Sequence, residues 1–316
     1  MSDDTIDCVI IGGGPAGLTA ALYLARFHLA VTVIDGGDSR AALIPCSRNV
    51  PGYPGGIAGP ALLRRMARHA TRYGAQIVQA TATVLARDGD AFRVTTSSGT
   101  LTARSVLLAT GVHNRRPDIT ERDHADALRR GLLRYCPICD GYEVTDRRVG
   151  VIGTGAHGMR EALFLRGFTA DVTLIAPDGP HELSSDDRAT LDRAGVALAD
   201  GPSGRLTLEG ERIALDTAAG RLDFASVYPA LGSVIRSDLA RGLAAEMTDD
   251  GCLLVDTHQR TSVAGLYAAG DVVKGLDQIS HAVGEGGVAA TTIRNDLAER
   301  APLLRAARPL SALGAT

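Results

Sequence analysis

The sequence predicts an α/β protein with two Rossmann-like nucleotide-binding domains of the three-layer ββα type, the second inserted into the first. A strand, a glycine-rich turn and a helix occur twice, first around Gly12 and again around Gly153. The segments that close the two units, at Gly111 and Gly232, are also alike. A chain of 316 residues exceeds the size at which one core usually stops growing, so two domains are expected.

Composition supports this class and excludes several others. Hydrophobic residues make up 45% of the chain and aromatic residues 4%, which favours aliphatic packing against parallel strands. A net charge of -3 gives no general attraction to nucleic acid or anionic membrane. No apolar run reaches the roughly 18 residues of a spanning helix, and no signal-peptide pattern is present. We therefore expect a cytoplasmic protein.

The first unit has each part of a dinucleotide site in register. An apolar strand from Ile6 leads into Gly12-x-Gly14-x-x-Gly17, a helix follows, and the next strand ends at Asp35, which is 23 positions after Gly12. Glycines let the backbone approach a pyrophosphate, and the helix N-terminus attracts its charge. The carboxylate accepts hydrogen bonds from ribose hydroxyls. This combination predicts a bound dinucleotide.

The second unit repeats the pattern as Gly153-x-Gly155-x-x-Gly158 after a short apolar strand. It predicts a second dinucleotide or the relic of such a site. His157 is bulky for this turn, and a surface position is favoured over a phosphate contact.

Between the two units lies the closely spaced pair Cys136-Pro-Ile-Cys139, followed by Asp140. Thiolates attack disulfides, so a redox pair needs an activated sulfur, a second sulfur to resolve the mixed disulfide and a proton donor. A zinc site is disfavoured because no second pair has zinc-ligand spacing, and Pro137 and Asp140-Gly favour an exposed turn over inert core cysteines. Of the other cysteines, Cys8 and Cys252 are expected in the core, and Cys46 is interpreted as a loop residue.

These motifs together resemble the low-molecular-weight, bacterial-type thioredoxin reductases and their relatives among flavoprotein disulfide reductases. The likeness covers roughly residues 5–300 and follows the family's motif order. It rests on the two glycine motifs, on Ala109-Thr110-Gly111, on the cysteine motif and on Tyr267-Ala-Ala-Gly270-Asp271.

The resemblance implies an FAD domain formed by residues 1–112 and 246–316, with a pyridine-nucleotide domain of residues 113–245 that carries the redox pair and rotates. It implies a homodimer that reduces a thioredoxin-like protein or a small-molecule disulfide. Cys139 would face the flavin, Cys136 would attack the external disulfide, and Asp140 would be the acid–base group. The residues implied for FAD are Gly12, Gly14, Pro15, Ala16, Gly17, Asp35, Thr110, Gly111, Gly270, Asp271, Gln278 and Ile279. Those implied for the nucleotide are Gly153, Gly155 and Gly158.

Two departures from the family pattern bear on the electron donor and the partner. Ala176 stands 23 positions after Gly153, where a ribose-binding acid or phosphate-binding arginine is expected, and Asp178 follows it. A carboxylate there would repel a 2′-phosphate, so NADH is favoured over NADPH. Asp277 precedes Gln278 where the family commonly carries Arg, which leaves the disulfide partner open.

Other functions remain open at this point. They are a dithiol oxidase using O2, a reductase fed by ferredoxin or another donor, and a non-catalytic flavin redox sensor. The oxidase relatives carry His after the second cysteine, so Asp140 favours the reductase direction. His281, near the start of the last helix, is interpreted as structural rather than as a base. The arginines from Arg115 to Arg134 are interpreted mainly as a solvated linker face.

Overall fold

The computed structural model describes residues 6–304. Residues 1–5 and 305–316, which include both ends of the predicted FAD domain and most of the C-terminal tail, lie outside the described residues. Among the described helices, none is both long and apolar enough to cross a membrane.

The first unit begins with alternating strands and helices and ends in a meander. Its elements are β1 (Ile6–Ile11), α1 (Pro15–Arg26), β2 (Val31–Asp35), α2 (Gly59–Arg72), β3 (Gln76–Gln79), β4 (Ala82–Asp88), β5 (Ala91–Thr96), β6 (Gly99–Leu108) and β7 (Val112–Asn114).

The middle of the chain forms the second unit. Its elements are α3 (Glu121–Arg130), α4 (Pro137–Asp140), β8 (Val149–Ile152), α5 (Gly155–Leu165), β9 (Val172–Ile175), α6 (Ser185–Arg193), β10 (Val196–Ala199), β11 (Thr207–Glu209), β12 (Arg212–Thr217), β13 (Gly220–Phe224), β14 (Ser226–Pro229), β15 (Ser233–Ile235) and α7 (Asp238–Arg241).

The chain then returns to the first sheet through β16 (Leu266–Ala268) and α8 (Ile279–Arg300). β16 pairs with β6 in parallel, so the parallel strands run in the order β3-β2-β1-β6-β16. The amino-terminal half of β6 pairs instead with β5, which carries the antiparallel meander. The second unit has the parallel order β10-β9-β8-β14 and the separate meander β11-β12-β13.

Strand alternation produces three layers in the first unit. Cys8 and Ile10 of β1 face a core with α1 and α8, whereas Val9 and Ile11 face a core with the meander residue Phe92. The second unit also has two cores, one between its parallel sheet and its helices and one between that sheet and its meander. This confirms the predicted α/β class with two Rossmann-like units, the second inserted into the first.

The sequence also predicts single strands at residues 78–85 and 251–256, and the structure differs from both predictions. Residues 78–85, predicted as one strand, divide between β3 and β4, because β3 continues the parallel sheet beside β2 before the chain turns into the meander. The predicted strand 251–256 is reduced to isolated bridges at Leu253. Its last residue, Asp256, forms a turn instead, accepting hydrogen bonds from the backbone N–H groups of His258 and Arg260.

The two units are linked by a two-stranded antiparallel ribbon in which β7 pairs with β15. Asp38 of the first unit holds this ribbon. Arg236, just after β15, donates to both Asp38 oxygens at 3.0 and 2.9 Å, and His113 of β7 lies 3.5 Å away. The ribbon is therefore a paired connection between the two units.

Close packing of α8 against α1 fixes the position of α8. A Cβ added at Gly286 of α8 would lie 2.4 Å from the carbonyl oxygen of Ala16 in α1. The Gly286→Ala variant should therefore lose about 1–3 kcal/mol in free energy of unfolding through overpacking, measured by urea denaturation of the flavin-loaded protein.

Gly284→Ala is the matched control, since Gly284 lies on the same helix and faces open space. It should be neutral or gain up to about 1 kcal/mol from helix propensity. Equal stability of the two variants would contradict the packing argument.

Candidate active site at the glycine cradle and the disulfide

The first glycine turn is shaped for a phosphate group. Gly12 has φ +121°, and a Cβ there would lie 2.1 Å from the carbonyl oxygen of Ala109. A Cβ at Gly17 would lie 2.1 Å from the carbonyl oxygen of Gly12. Gly14 caps α1 without any side chain, and Pro15 occupies the first helical turn. The free N–H groups of this helix end thus face the cavity, which suits a pyrophosphate.

Asp35 lies at the carboxyl end of β2 above the same turn. Its carboxylate accepts the Gly37 N–H at 2.9 Å and the Gln79 side-chain N–H at 3.3 Å. A Cβ at Gly13 would lie 2.3 Å from the Asp35 Cγ, so this carboxylate sits directly against the turn. The position suits a ribose whose pyrophosphate rests on α1.

The remaining residues implied for FAD line the same cavity, which has a volume of about 740 Å³. Its walls include Ala16, Thr110, Gly111, Gly270, Asp271 and Ile279. The Thr110 hydroxyl donates to the Arg236 carbonyl at 2.6 Å, so this wall is tied to the ribbon between the units. The size and the glycine cradle fit a dinucleotide cofactor.

The two cysteines form a disulfide at the start of the short helix α4. Cys136 caps the helix and Pro137 occupies its first turn, a position where the missing N–H of proline has no cost. The Cys139 N–H donates to the Cys136 carbonyl at 2.9 Å and lies 3.2 Å from the Cys136 sulfur. Ile138, between the two cysteines, is exposed, as the sequence predicts for a turn.

Both sulfurs open onto the cavity that holds the glycine cradle. The Gln278 side chain, at the start of α8, donates to each sulfur at 3.3 Å and receives an N–H from Asn49 at 3.0 Å. The Gln278 side chain therefore does not cap the N-terminus of α8. The free N–H groups of that helix end face the cavity beside the disulfide. A helix N-terminus at this point stabilises negative charge that develops in the cavity.

A second contact between the units lies beside the disulfide. Arg48 of the first unit approaches Glu143 at 3.5 Å, four residues after Cys139. The other Glu143 carboxylate oxygen is buried and has no hydrogen-bond partner. Arg48 and Gln278 together hold the disulfide against the first unit.

Asp140 is held by two donors. The Arg134 guanidinium donates to Oδ2 at 2.9 Å, and the Tyr228 hydroxyl donates to Oδ1 at 3.0 Å. Burial raises the pKa of Asp140 and Glu143 raises it further, whereas Arg134 and Tyr228 lower it. Burial also raises the pKa of Tyr228, so that phenol remains a donor.

Arg40 links two carboxylates at the edge of the cavity. Its guanidinium lies 3.0 Å from Asp271 and 2.9 Å from Asp277. Burial and the charge of Asp271 raise the pKa of Asp277, which Arg40 opposes. The acidic residue that departs from the family pattern thus has a local partner. His281 is paired with Glu285 at 3.0 Å, and Glu285 also accepts the Gly270 N–H at 2.6 Å.

The second glycine turn is also closely packed, but its positive φ lies at its second glycine rather than at its first. A Cβ at Gly158 would lie 2.8 Å from the Gly153 carbonyl carbon, and one at Gly153 would lie 2.9 Å from the Ala230 carbonyl oxygen. Gly155 has φ +58°. His157 is half-exposed beside Glu161 at 3.4 Å, as expected for a surface turn residue.

The loop after β9 is fixed and has no Lys or Arg from residue 176 to 184. Its histidine, His181, is buried, with Nε2 3.0 Å from the Leu174 carbonyl oxygen. Ala176 is buried and Asp178 is exposed. Ser203 N–H donates to the Pro177 carbonyl at 2.9 Å, and Glu182 N–H donates to the Thr154 hydroxyl at 3.2 Å, so the loop is tied to the glycine turn.

Several site residues were absent from the sequence prediction. Arg40, Asn49, Arg48 and Tyr228 lie far along the chain from their partners, and only the fold brings them together. The interpretation of Arg134 as a solvated linker residue is wrong, because its side chain is 17% exposed and pairs with Asp140. Cys252 is partly exposed and outside any strand, whereas Cys8 is buried as predicted.

Comparison with known proteins gives consistent matches over nearly the whole chain. The model of the family described as pyridine nucleotide-disulphide oxidoreductase matches residues 6–286. A thioredoxin reductase of Streptomyces clavuligerus is 32% identical, with 98% of this chain and 99% of the relative covered.

Two solved structures are similar throughout. The structure of HlmI has a TM-score of 0.86 at 33% identity, covering 95% of this chain and 94% of that one. A thioredoxin reductase from Streptococcus pyogenes has a TM-score of 0.84 at 27% identity, covering 94% of this chain and 100% of that one.

Glu161 on α5 provides a test of the site's electrostatics. One of its carboxylate oxygens is buried without a hydrogen-bond partner, and burial raises its pKa from 4.5 to about 7 while Arg40 opposes this. The unfolded chain ionises this group first, so wild-type stability should fall as the pH rises through that window. Relative to Glu161→Gln, the loss should reach at most about 3 kcal/mol near pH 8.

Urea denaturation of both proteins at several pH values measures this difference. Glu211→Gln is the control, because the Glu211 side chain is 96% exposed. If the wild type and Glu161→Gln show the same pH dependence of stability, the pKa of Glu161 is not raised in the folded protein.

Proposed function

The chain belongs to the pyridine nucleotide-disulphide oxidoreductase family, and on that basis we propose that it passes electrons from NADH through FAD to Cys136–Cys139 and on to an external disulfide. It is a flavoprotein disulfide oxidoreductase of thioredoxin reductase type, using FAD and a pyridine nucleotide. The main observation behind the proposal is that the disulfide lines the same cavity as the first glycine turn. There the Gln278 side chain donates a hydrogen bond to both sulfurs.

Bound FAD would supply the chemistry that links a two-electron nucleotide donor to the disulfide. The cradle from Gly12 to Gly17 would hold its pyrophosphate, Asp35 its adenosine ribose, and Asp271 its ribitol or pyrophosphate. Gln278 and the N-terminus of α8 would face the isoalloxazine edge. Arg40 supports this assignment, because it holds the Asp271 carboxylate at 3.0 Å at the edge of the same cavity.

Two sulfur roles are required by the chemistry, and their assignment to the two cysteines follows the family to which the chain belongs. Reduction of the disulfide yields two sulfurs, of which one must be a thiolate to attack a substrate disulfide and the other must resolve the product. We assign attack to Cys136, resolution to Cys139 and proton transfer to Asp140. Asp140 lines the same cavity as the two sulfurs, which supports its assignment as the acid–base group.

The proposed division of the chain is an FAD domain of residues 1–112 and 246–316 and a nucleotide domain of residues 113–245. Pairing of β16 with β6 and packing of α8 on α1 support the return of the chain to the first domain. In the orientation of this structure the disulfide lies against the first domain, so exchange with an external disulfide requires the units to move about the ribbon of β7 and β15.

The preference for NADH rests on the loop after β9. Exposed Asp178 would repel a 2′-phosphate, and the loop from residue 176 to 184 has no Lys or Arg to bind one. The partner we propose is a thioredoxin-like protein or a small-molecule disulfide, and we propose a homodimer in the cytoplasm. The relatives named thioredoxin reductases support the protein partner.

An anaerobic titration of the purified flavoprotein tests the donor and the direction together. Flavin absorbance is followed while NADH, NADPH and dithiothreitol are added to separate samples. We expect rapid bleaching by NADH, slower bleaching by NADPH, and multiple turnover when a disulfide is supplied.

Other outcomes would favour the rival functions. Bleaching by dithiothreitol alone, with rapid reoxidation in air, would indicate a dithiol oxidase. Faster reduction by NADPH than by NADH would contradict the argument from Asp178. Slow reduction by every donor without turnover would indicate a redox sensor.

A further inference from the structure

Both oxygens of the Asp140 carboxylate are engaged by side chains that the assigned chemistry does not use. Arg134 donates to Oδ2 at 2.9 Å, and Tyr228 donates to Oδ1 at 3.0 Å. The Tyr228 hydroxyl also lies 3.2 Å from the Asp140 carbonyl oxygen. The carboxylate is therefore fixed in orientation from two sides.

Each donor is itself held by the fold. The Nε of Arg134 donates to the Gly131 carbonyl at 3.0 Å, at the left-handed glycine that ends α3. The Arg134 side chain is only 17% exposed. Tyr228 is 1% exposed, near the end of β14 in the second parallel sheet. Two different elements of the nucleotide domain thus converge on the residue that follows Cys139.

The surroundings of Asp140 have opposing effects on its pKa. Burial and the neighbouring Glu143 favour its protonated form, and Arg48 is paired with Glu143. Arg134 and the Tyr228 hydroxyl favour its ionised form. Burial has the larger effect, so the pKa of Asp140 stays above its ordinary value, and Arg134 is the strongest of the groups that oppose it.

We propose that Arg134 and Tyr228 are positioning residues that fix the orientation of the Asp140 carboxyl next to the cysteine pair and control its proton transfer. This inference rests on the proposed function for its use in turnover. It goes beyond that function in naming the two side chains that control the proton donor.

The proton enters one defined step. The Cys136 thiolate attacks a sulfur of the external disulfide, the substrate S–S bond breaks, and a bond from Cys136 to that sulfur forms. The leaving thiolate takes the proton from Asp140 and departs as a thiol. The Cys139 thiolate then attacks the Cys136 sulfur, which restores the internal disulfide and releases the second substrate sulfur, protonated by solvent. The substrate gains two electrons and two protons, and the cysteine pair is oxidised.

The test uses four variants of the flavin-loaded protein. Arg134→Gln removes the charge, Arg134→Lys keeps it, Tyr228→Phe removes only the hydroxyl, and Asp140→Asn identifies the Asp140 signal. Arg205→Gln is the control, because Arg205 is 61% exposed and pairs with Asp118 on the same domain. Circular dichroism and flavin content confirm that each variant is folded.

The first readout is an infrared titration of the oxidised protein, in which the carboxylic acid band absent from Asp140→Asn reports the protonation of Asp140. Arg134→Gln should move this titration to higher pH by about 1–2 units, because the charge that favours the carboxylate is gone. Arg134→Lys keeps the charge, so its titration should lie close to that of the wild type. Tyr228→Phe should give a smaller upward shift than Arg134→Gln, and Arg205→Gln should give none.

The second readout is the pH dependence of kcat/KM for the external disulfide. A proton donor fails as the pH rises through its pKa, so the alkaline decline should move to higher pH in Arg134→Gln and Tyr228→Phe. A uniform loss of rate with an unchanged profile would overturn the proposal and indicate a structural role. An infrared titration that is unchanged in the variants would also overturn the proposal. If Arg134→Gln does not fold, the same two readouts on Tyr228→Phe provide the test.

The two readouts separate this proposal from the function on which it rests. If the wild-type protein reduces no disulfide with any donor, the proposed function fails, whereas the infrared titration still decides whether Arg134 and Tyr228 control Asp140.

Discussion

The contact between Gln278 and the two sulfurs is the interaction on which the arrangement of the site depends. Gln278 is the N-cap residue of α8. The position of α8 is fixed by the close packing of Gly286 on α1, and α1 begins at the glycine cradle. The same side chain reaches the disulfide of the other unit at 3.3 Å. One chain of contacts thus runs from the phosphate-binding turn to the redox pair. A change in the packing of α8 would alter the distance between the two centres.

Arginine is the cation that compensates the buried acids around the cavity. Arg40 bridges Asp271 and Asp277, Arg134 holds Asp140, and Arg48 approaches Glu143. A planar guanidinium can engage two carboxylates or fix one in orientation, which a compact ammonium group does less well. A carboxyl that lacked such a partner would be driven to its protonated form by burial, as the raised pKa of Glu161 illustrates.

Local patterns in the sequence were sufficient to predict the parts of the fold that local chemistry determines. The glycine turns, the strand ending at Asp35 and the turn at Cys136 depend on residues within a few positions of one another, and each lies where the pattern indicates. The boundary between β3 and β4 and the bridge at Leu253 depend on pairing with distant strands, and there the prediction was wrong. The partners of Asp140 could not be predicted, because Tyr228 lies 88 positions along the chain and only the fold brings it to the carboxylate.

The central claim is that electrons from a reduced nucleotide reach the Cys136–Cys139 bond. The most direct test adds one equivalent of NADH to the oxidised flavoprotein without oxygen, blocks free thiols with iodoacetamide and counts alkylated cysteines by mass spectrometry. The account predicts new alkylation at Cys136 and Cys139, and no such gain at Cys136 when NADH is added to a Cys139→Ser variant. A flavin bleached by NADH beside an intact disulfide would contradict it.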